Sequence, residues 1–310
     1  MKPSRLWVWA CLLLPCAAQT PFRVDVQLIN VGFSVRDSTG KLISALTQDD
    51  FEVVEDGVPQ KIAFFARSVD VPLNLGLIVD ISGSQGSFVK PHHKDLKTFL
   101  TEVLTPQDRA FLVCFASHAR LITDYSPSAK FLTDALEGYQ GTNNKGDYPI
   151  LGPREIRTGG TSFYDAIYYS ARQMLSSVER GRKALIIFSD GEDNSSSHDM
   201  MTAIETAQSA NVVLFPIRYT QKEHGNLTAR NKYGIRVMDR IAKETGGATF
   251  DADLVDPHTY FRQIGDELRS SYELAYYPTN PIKDDSFRKI IIRPKQDGLK
   301  VRTKTGYFSR

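Results

Sequence analysis

From Leu73 onward the chain repeats one pattern, and that pattern restricts the fold more than anything else in the sequence. Short, nearly continuous apolar runs alternate with stretches of helical period. The apolar runs are Leu73 to Val79, Ala110 to Ala116, Ala184 to Phe188 and Val212 to Ile217, with a brief strand near Thr249-Phe250. A run with no polar alternation suits a strand covered on both faces. Between the runs, Phe88, Val89, Leu96, Phe99, Leu100, Val103 and Leu104 fall on one helical stripe. Helices are also expected over Ala129 to Leu136, Ala166 to Val178, Met200 to Ala210, Val237 to Glu244 and Tyr260 to Leu268. Buried strands alternating with amphipathic helices predict an α/β, doubly wound, mostly parallel sheet with helices on both faces.

The two ends read differently. Val24, Val26 and Leu28 alternate with polar residues, Asp37 to Gly40 makes a turn, and Asp56-Gly57 is a hairpin signal between Phe51-Glu55 and Val58-Phe65. Strand patterns return at Tyr272 to Tyr277, Phe287 to Arg293 and Leu299 to Thr303. The expected division is a leader over 1–18, an N-terminal β segment over 19–70, the α/β unit over 71–270 and a C-terminal β segment over 271–310. Edge strands at both ends need partners, so the two β segments are expected to pair into a small sandwich from which the middle is inserted.

Lys2 and Arg5 precede the apolar run Leu6 to Leu14, and Cys16-Ala17-Ala18 supplies the small residues of a peptidase site. This reads as a secretory signal cleaved after Ala18, its apolar run too short to span a bilayer. The expected location is therefore secreted or extracytoplasmic, with no membrane span after cleavage. Of the three cysteines only Cys114 would then remain, and in an apolar strand it reads as an inert small hydrophobe. The formal charge of +2 and the absence of any basic block give no handle for nucleic acid.

In open parallel sheets ligands bind beyond the carboxyl ends of strands. Asp80-Ile81-Ser82-Gly83-Ser84 follows the first buried strand, and Ser189-Asp190-Gly191-Glu192-Asp193 follows the third. Gly159-Gly160-Thr161 precedes a helix between them. The spacing of Asp80, Ser82 and Ser84 lets one extended turn aim three oxygens at a single point, with Gly83 allowing the bend. Hard oxygen donors suit Mg²⁺, with Mn²⁺ and Ca²⁺ as alternatives, and these loops contain no cysteine or histidine for zinc or copper. Taken singly each motif is an ordinary helix cap or turn; the set in this order is specific. Asp165, Glu192 and Asp193 read as capping or solvated residues. His92-His93 reads as a solvated helix start, and Tyr276-Tyr277 as packing.

Asp-x-Ser-x-Ser, Gly-Gly-Thr and Ser-Asp-Gly in this order resemble the von Willebrand factor type A domain and its metal-ion-dependent adhesion site. The resemblance covers roughly Val71 to Ser270. Leu46 to Gly57 and Tyr276 to Asn280 further resemble bacterial secreted proteins that carry this domain. The resemblance implies a Rossmann-like fold and a metal held directly by Ser82 and Ser84. Thr161 would bind directly or through water, and Asp80 and Asp190 mostly through water. Neutral hydroxyls leave the ion under-neutralised, so a protein partner's Asp or Glu is the expected additional ligand. The function so implied is adhesion or protein interaction. The rivals are a structural subunit of a cell-surface assembly and a metal-dependent hydrolase. No Gly-x-Ser-x-Gly elbow, phosphate-cradling loop or general base is identifiable, so an enzyme is not expected.

Overall fold

The computed structural model describes residues 28–68 and 71–310. The expected leader, the expected cleavage after Ala18 and the first residues of the N-terminal β segment lie outside the described residues.

Four strands come first: β1 (Ile29–Arg36), β2 (Phe51–Glu55), β3 (Val58–Gln60) and β4 (Ile62–Ser68). The middle of the chain then runs β5 (Leu73–Asp80), α1 (Val89–Val103), β6 (Arg109–Phe115), β7 (Ala119–Ser126), α2 (Ala129–Gly141) and α3 (Phe163–Tyr169). It continues with β8 (Arg182–Ser189), α4 (Met200–Ser209), β9 (Val212–Arg218), α5 (Ala229–Thr245), β10 (Phe250–Asp251) and α6 (Pro257–Arg269). Four strands close the chain: β11 (Ser271–Tyr276), β12 (Phe287–Pro294), β13 (Lys300–Thr303) and β14 (Gly306–Phe308).

The central six-stranded sheet has the order β10-β9-β8-β5-β6-β7. Its strands pair in parallel except at β7, which runs antiparallel to β6. Every residue of β5 is buried, as its nearly continuous apolar run requires. Leu73, Leu75, Leu77 and Val79 face a core built with α1, α2 and α6, while Ile78 faces the opposite core with α3, α4 and α5. Two covered faces confirm the doubly wound α/β expectation. The strand β7 is not among the expected elements. Its half-exposed sequence and irregular pairing with β6 remove the apolar continuity that marks the other strands.

The terminal strands pair across the whole length of the chain. One sheet has the order β13-β1-β11-β4 and the other β14-β12-β2-β3. Their inner faces meet in a third core of Val31, Phe33, Phe51, Val53, Tyr272, Leu274, Ile290 and Ile292. The chain leaves this sandwich through β4 and returns through β11, and these are paired neighbours with Ser68 opposite Ser271.

Asp108 ties the layers together beside this crossing. It is 1% exposed and accepts hydrogen bonds from Leu73 N (2.8 Å), Thr105 N (2.7 Å) and the Arg269 guanidinium (2.5 Å). Burial pushes its pKa up, but the hydrogen bonds from Arg269, Thr105 and Leu73 outweigh this and hold it below the ordinary aspartate value. Its contribution is therefore complete above an unfolded pKa of about 3.9 and lost as pH falls through the lower folded value. Asp108→Ala is expected to cost about 3 kcal/mol at pH 7 through the donors left without an acceptor. Urea denaturation at pH 7 and pH 3 checks this: the gap between wild type and variant should narrow at pH 3.

Among the described residues no helix is long and apolar enough to cross a membrane.

Candidate metal centre

The sheet order reverses direction at β5, which has β6 on one side and β8 on the other. The loops leaving β5 and β8 therefore open a crevice at their carboxyl ends. Asp80 is the last residue of β5. After it, Gly83 to Phe88 forms a 3-10 turn that carries Ser84 and Gln85 back toward the sheet.

Four of the five expected ligands meet here. Asp80 Oδ1 accepts from Ser82 N at 2.9 Å, Ser82 Oγ lies 3.2 Å from Ser84 Oγ, and Ser84 Oγ donates to Asp190 Oδ2 at 2.8 Å. Asp80, Ser82 and Asp190 are buried at 1%, 6% and 3% exposure. The Ser-Asp-Gly turn depends on its glycine: Gly191 has φ of +76°, and a Cβ there would lie 2.7 Å from the Gly234 carbonyl oxygen.

Thr161 is placed at the neighbouring strand end. Its backbone N donates to Asn194 Oδ1 at 2.7 Å, its carbonyl accepts from Asn194 N and Ser195 N, and Ser162 N bonds Ala116 O just beyond β6. Thr161 thus lies between the end of β6 and the loop that follows Asp190. No hydrogen bond joins its side chain to the other four residues among the described contacts.

Two further residues complete the network and escape a reading of motifs alone. Ser189 Oγ donates to Asp80 Oδ2 at 2.6 Å, and Gln85 Nε2 donates to Asp190 Oδ2 at 2.8 Å. Ser189 sits within the quoted Ser-Asp-Gly, so its signal was present. Gln85 carries no motif; only the 3-10 turn brings it round.

The electrostatics suit a cation. Burial pushes the Asp80 pKa up to about 7, with hydrogen bonds from Ser189 and Ser82 opposing the rise and the Asp190 charge adding to it. Two buried carboxylates thus share one network. Neither forms an ion pair with a basic side chain among the described residues. Gln85 Oε1 is also buried without a hydrogen-bond partner. A hard dication would offset both carboxylate charges and accept hydroxyl oxygen from Ser82 and Ser84.

Of the acids read as capping or solvated, only Asp193 bonds a helix start, and Asp165 and Glu192 pair with other side chains. Asp165 is 2% exposed and bonds Ser197 N (3.0 Å), His198 Nδ1 (2.7 Å) and Arg157 (2.9 Å). Asp193 accepts from Tyr164 N at the start of α3 (3.1 Å), and Glu192 pairs with Arg230 at 2.9 Å.

His92 corrects the expectation of a solvated pair. It is fully buried, 4.3 Å from the Tyr219 ring, and burial pushes its pKa down to about 3. Its spacing to Leu96, Phe99 and Leu100 puts it on the apolar stripe of α1, which the His-His dipeptide obscured. Tyr276 packs as expected, with its hydroxyl on Glu55 at 2.7 Å, whereas Tyr277 is exposed.

Residues 150–252 match the sequence model of the von Willebrand factor type A domain. This segment carries the von Willebrand factor type A signature. The match contains Thr161 and Asp190 and stops short of the Asp80 loop, which the fold places against Asp190. No curated protein matches the chain. Among solved structures it is similar to an aerotolerance-related membrane protein from Bacteroides fragilis, at 16% identity and TM-score 0.48, over 63% of this chain and 98% of that one. A von Willebrand factor type A protein from Catenulispora acidiphila aligns at 12% identity and TM-score 0.45, over 92% of this chain and 74% of that one. Proximal thread matrix protein 1 of the mussel byssus, with a zinc-occupied site, aligns at 15% identity and TM-score 0.47, over 69% of this chain and 49% of that one.

Proposed function

We propose that this chain is an adhesion-type protein-interaction module, not an enzyme, that acts outside the cytoplasm. It holds a divalent cation, Mg²⁺ in the first instance, on Ser82, Ser84, Thr161, Asp80 and Asp190. The ion supplies a Lewis-acid contact to which a partner's Asp or Glu carboxylate binds. The observation that carries this reading is the direct hydrogen-bonded convergence of Asp80, Ser82, Ser84 and Asp190 from two strand ends that are far apart in sequence. Hydroxyls already turned toward one another require little reorganisation to share an ion. Ser189 and Gln85 hold the two carboxylates in place, as outer partners of metal ligands do.

Recognition through a single charge-assisted contact predicts a chelator-sensitive interaction. Immobilised chain is expected to retain partners from a homologous surface extract in Mg²⁺ and to release them in EDTA. Millimolar glutarate should compete as a free carboxylate. Retention that survives EDTA and glutarate unchanged would sink the reading.

A further inference from the structure

The opposite end of the sheet contains a second polar site. Where β8 begins, a cavity of about 140 Å³ lies between the six-stranded sheet and the terminal sandwich. Arg182 and Lys183 reach it from β8, and Lys304 reaches it from the turn between β13 and β14. One length of β8 separates this place from Ser189, about 20 Å at the usual rise of a strand. It is therefore not part of the metal centre.

The three cations are poorly neutralised. None forms an ion pair with a carboxylate among the described residues. Lys304 is 8% exposed, and its ammonium donates only to neutral acceptors, Gln208 O at 3.1 Å and Asn211 Oδ1 at 2.7 Å. Lys183 donates only to Val178 O, at 3.3 Å. The Arg182 guanidinium donates no hydrogen bond to a described residue, although the side chain is half-buried. It is among the residues that line the cavity. Its position is built into the fold, because a Cβ on Gly32 of β1 would lie 2.1 Å from Arg182 Nη1. Burial lowers the pKa of Arg182 and Lys183, and it takes Lys304 down to about 8, with the Lys183 charge adding to the fall.

Two carboxylates line the same cavity, Glu179 and Glu273. Glu179 is exposed, so solvent and salt screen its charge. Glu273 is half-buried and offsets one of the three cations, while Glu267, whose charge also reaches Arg182, is already paired with Arg36 and Arg302. Two positive charges are left, with guanidinium and ammonium donors unspent. The space is close to the roughly 150 Å³ that holds one small molecule in a protein interior.

We propose that this cavity binds a small doubly charged oxyanion of the phosphate or sulfate class, which bridges Arg182 and Lys183 to Lys304 and so fastens the α/β unit to the sandwich. Bidentate guanidinium and point-charge ammonium donors are the usual pairing for such an ion. An anion held by both layers binds the folded state alone and must therefore stabilise it.

Thermal unfolding of the full chain in EDTA tests this independently of any metal. Inorganic phosphate or sulfate at 10 mM is expected to raise the Tm by about 3 °C over chloride of equal ionic strength. Calorimetry should give one site per chain. Arg182→Gln and Lys304→Met should each weaken binding at least tenfold, and Lys183→Gln, at a half-buried position, covers the case in which either fails to fold. O-phosphoserine in place of inorganic phosphate separates the two sources of the ion: a similar rise assigns a phosphomonoester, and a rise with inorganic phosphate alone assigns the free ion. No rise over chloride in the wild type, or the same rise in wild type and Arg182→Gln, would overturn the proposal.

Discussion

Titrated with Mg²⁺ or Mn²⁺, the Asp190→Ala protein is expected to bind at least about 100-fold more weakly than wild type, giving no heat beyond dilution in calorimetry. Asp190 is the node of the network, receiving Ser84 Oγ and Gln85 Nε2 on one oxygen and Glu192 N on the other. Its removal takes away one of two buried carboxylates and frees Ser84 from its orientation. The fold should survive. The donors left behind cost about 1 to 3 kcal/mol, while loss of the Asp190 charge relieves Asp80, whose pKa that charge helps to raise. Circular dichroism should therefore show an unchanged spectrum. Asp190→Asn keeps the shape and one of the two acceptor oxygens, and it should fail in the same assay if the carboxylate charge holds the ion. Equal heats for wild type and Asp190→Ala would remove the metal assignment altogether.

The candidate site was legible to the extent that it consists of strand ends. Asp80 and Asp190 each follow a run of buried apolar residues, and any parallel sheet brings such positions to one edge. What could not be read is how side chains turn within the loops. Gln85 bonds Asp190 because Gly83 to Phe88 winds as a 3-10 turn, a short element without an apolar period of its own. Thr161 shows the converse. Its motif was visible, yet its described hydrogen bonds are backbone contacts to Asn194 and Ser195, and spacing along the chain does not specify them.

The fold divides in the same way. The β5, β6, β8 and β9 runs are nearly continuous in apolar residues because both sheet faces are covered, and that continuity is what a sequence displays best. At β7 only one side has a strand neighbour, and Ala119 to Ser126 shows neither continuity nor clean alternation, so it passes for loop. His92 failed for another reason: residue type suggested solvent, whereas its helical position fixed it in the core. Position prevails here because Leu96, Phe99 and Leu100 already bury that face of α1.

The same reasoning sets the largest expected loss of stability. Phe33 on β1 is 1% exposed, with ring centroids 5.0 Å from Phe51 and 5.2 Å from Tyr272. These rings come from three strands in both sheets of the sandwich, so Phe33→Ala opens a cavity where the two ends of the chain are joined. Neighbours held in paired strands collapse poorly into such a space, and the expected cost is about 3 to 5 kcal/mol. Both tryptophans, Trp7 and Trp9, fall in the expected leader. Urea unfolding of a chain without these residues is therefore best followed by far-ultraviolet circular dichroism. The β4–β11 crossing transmits the damage, because these paired strands form both covalent connections to the α/β unit. At low denaturant the variant should still bind Mg²⁺ with wild-type affinity, since Phe33 belongs to the sandwich core and the ligands extend from β5 and β8. A loss below about 1 kcal/mol would mean that the rings close over the gap. The two chain ends would then be held together by their strand hydrogen bonds and not by this core.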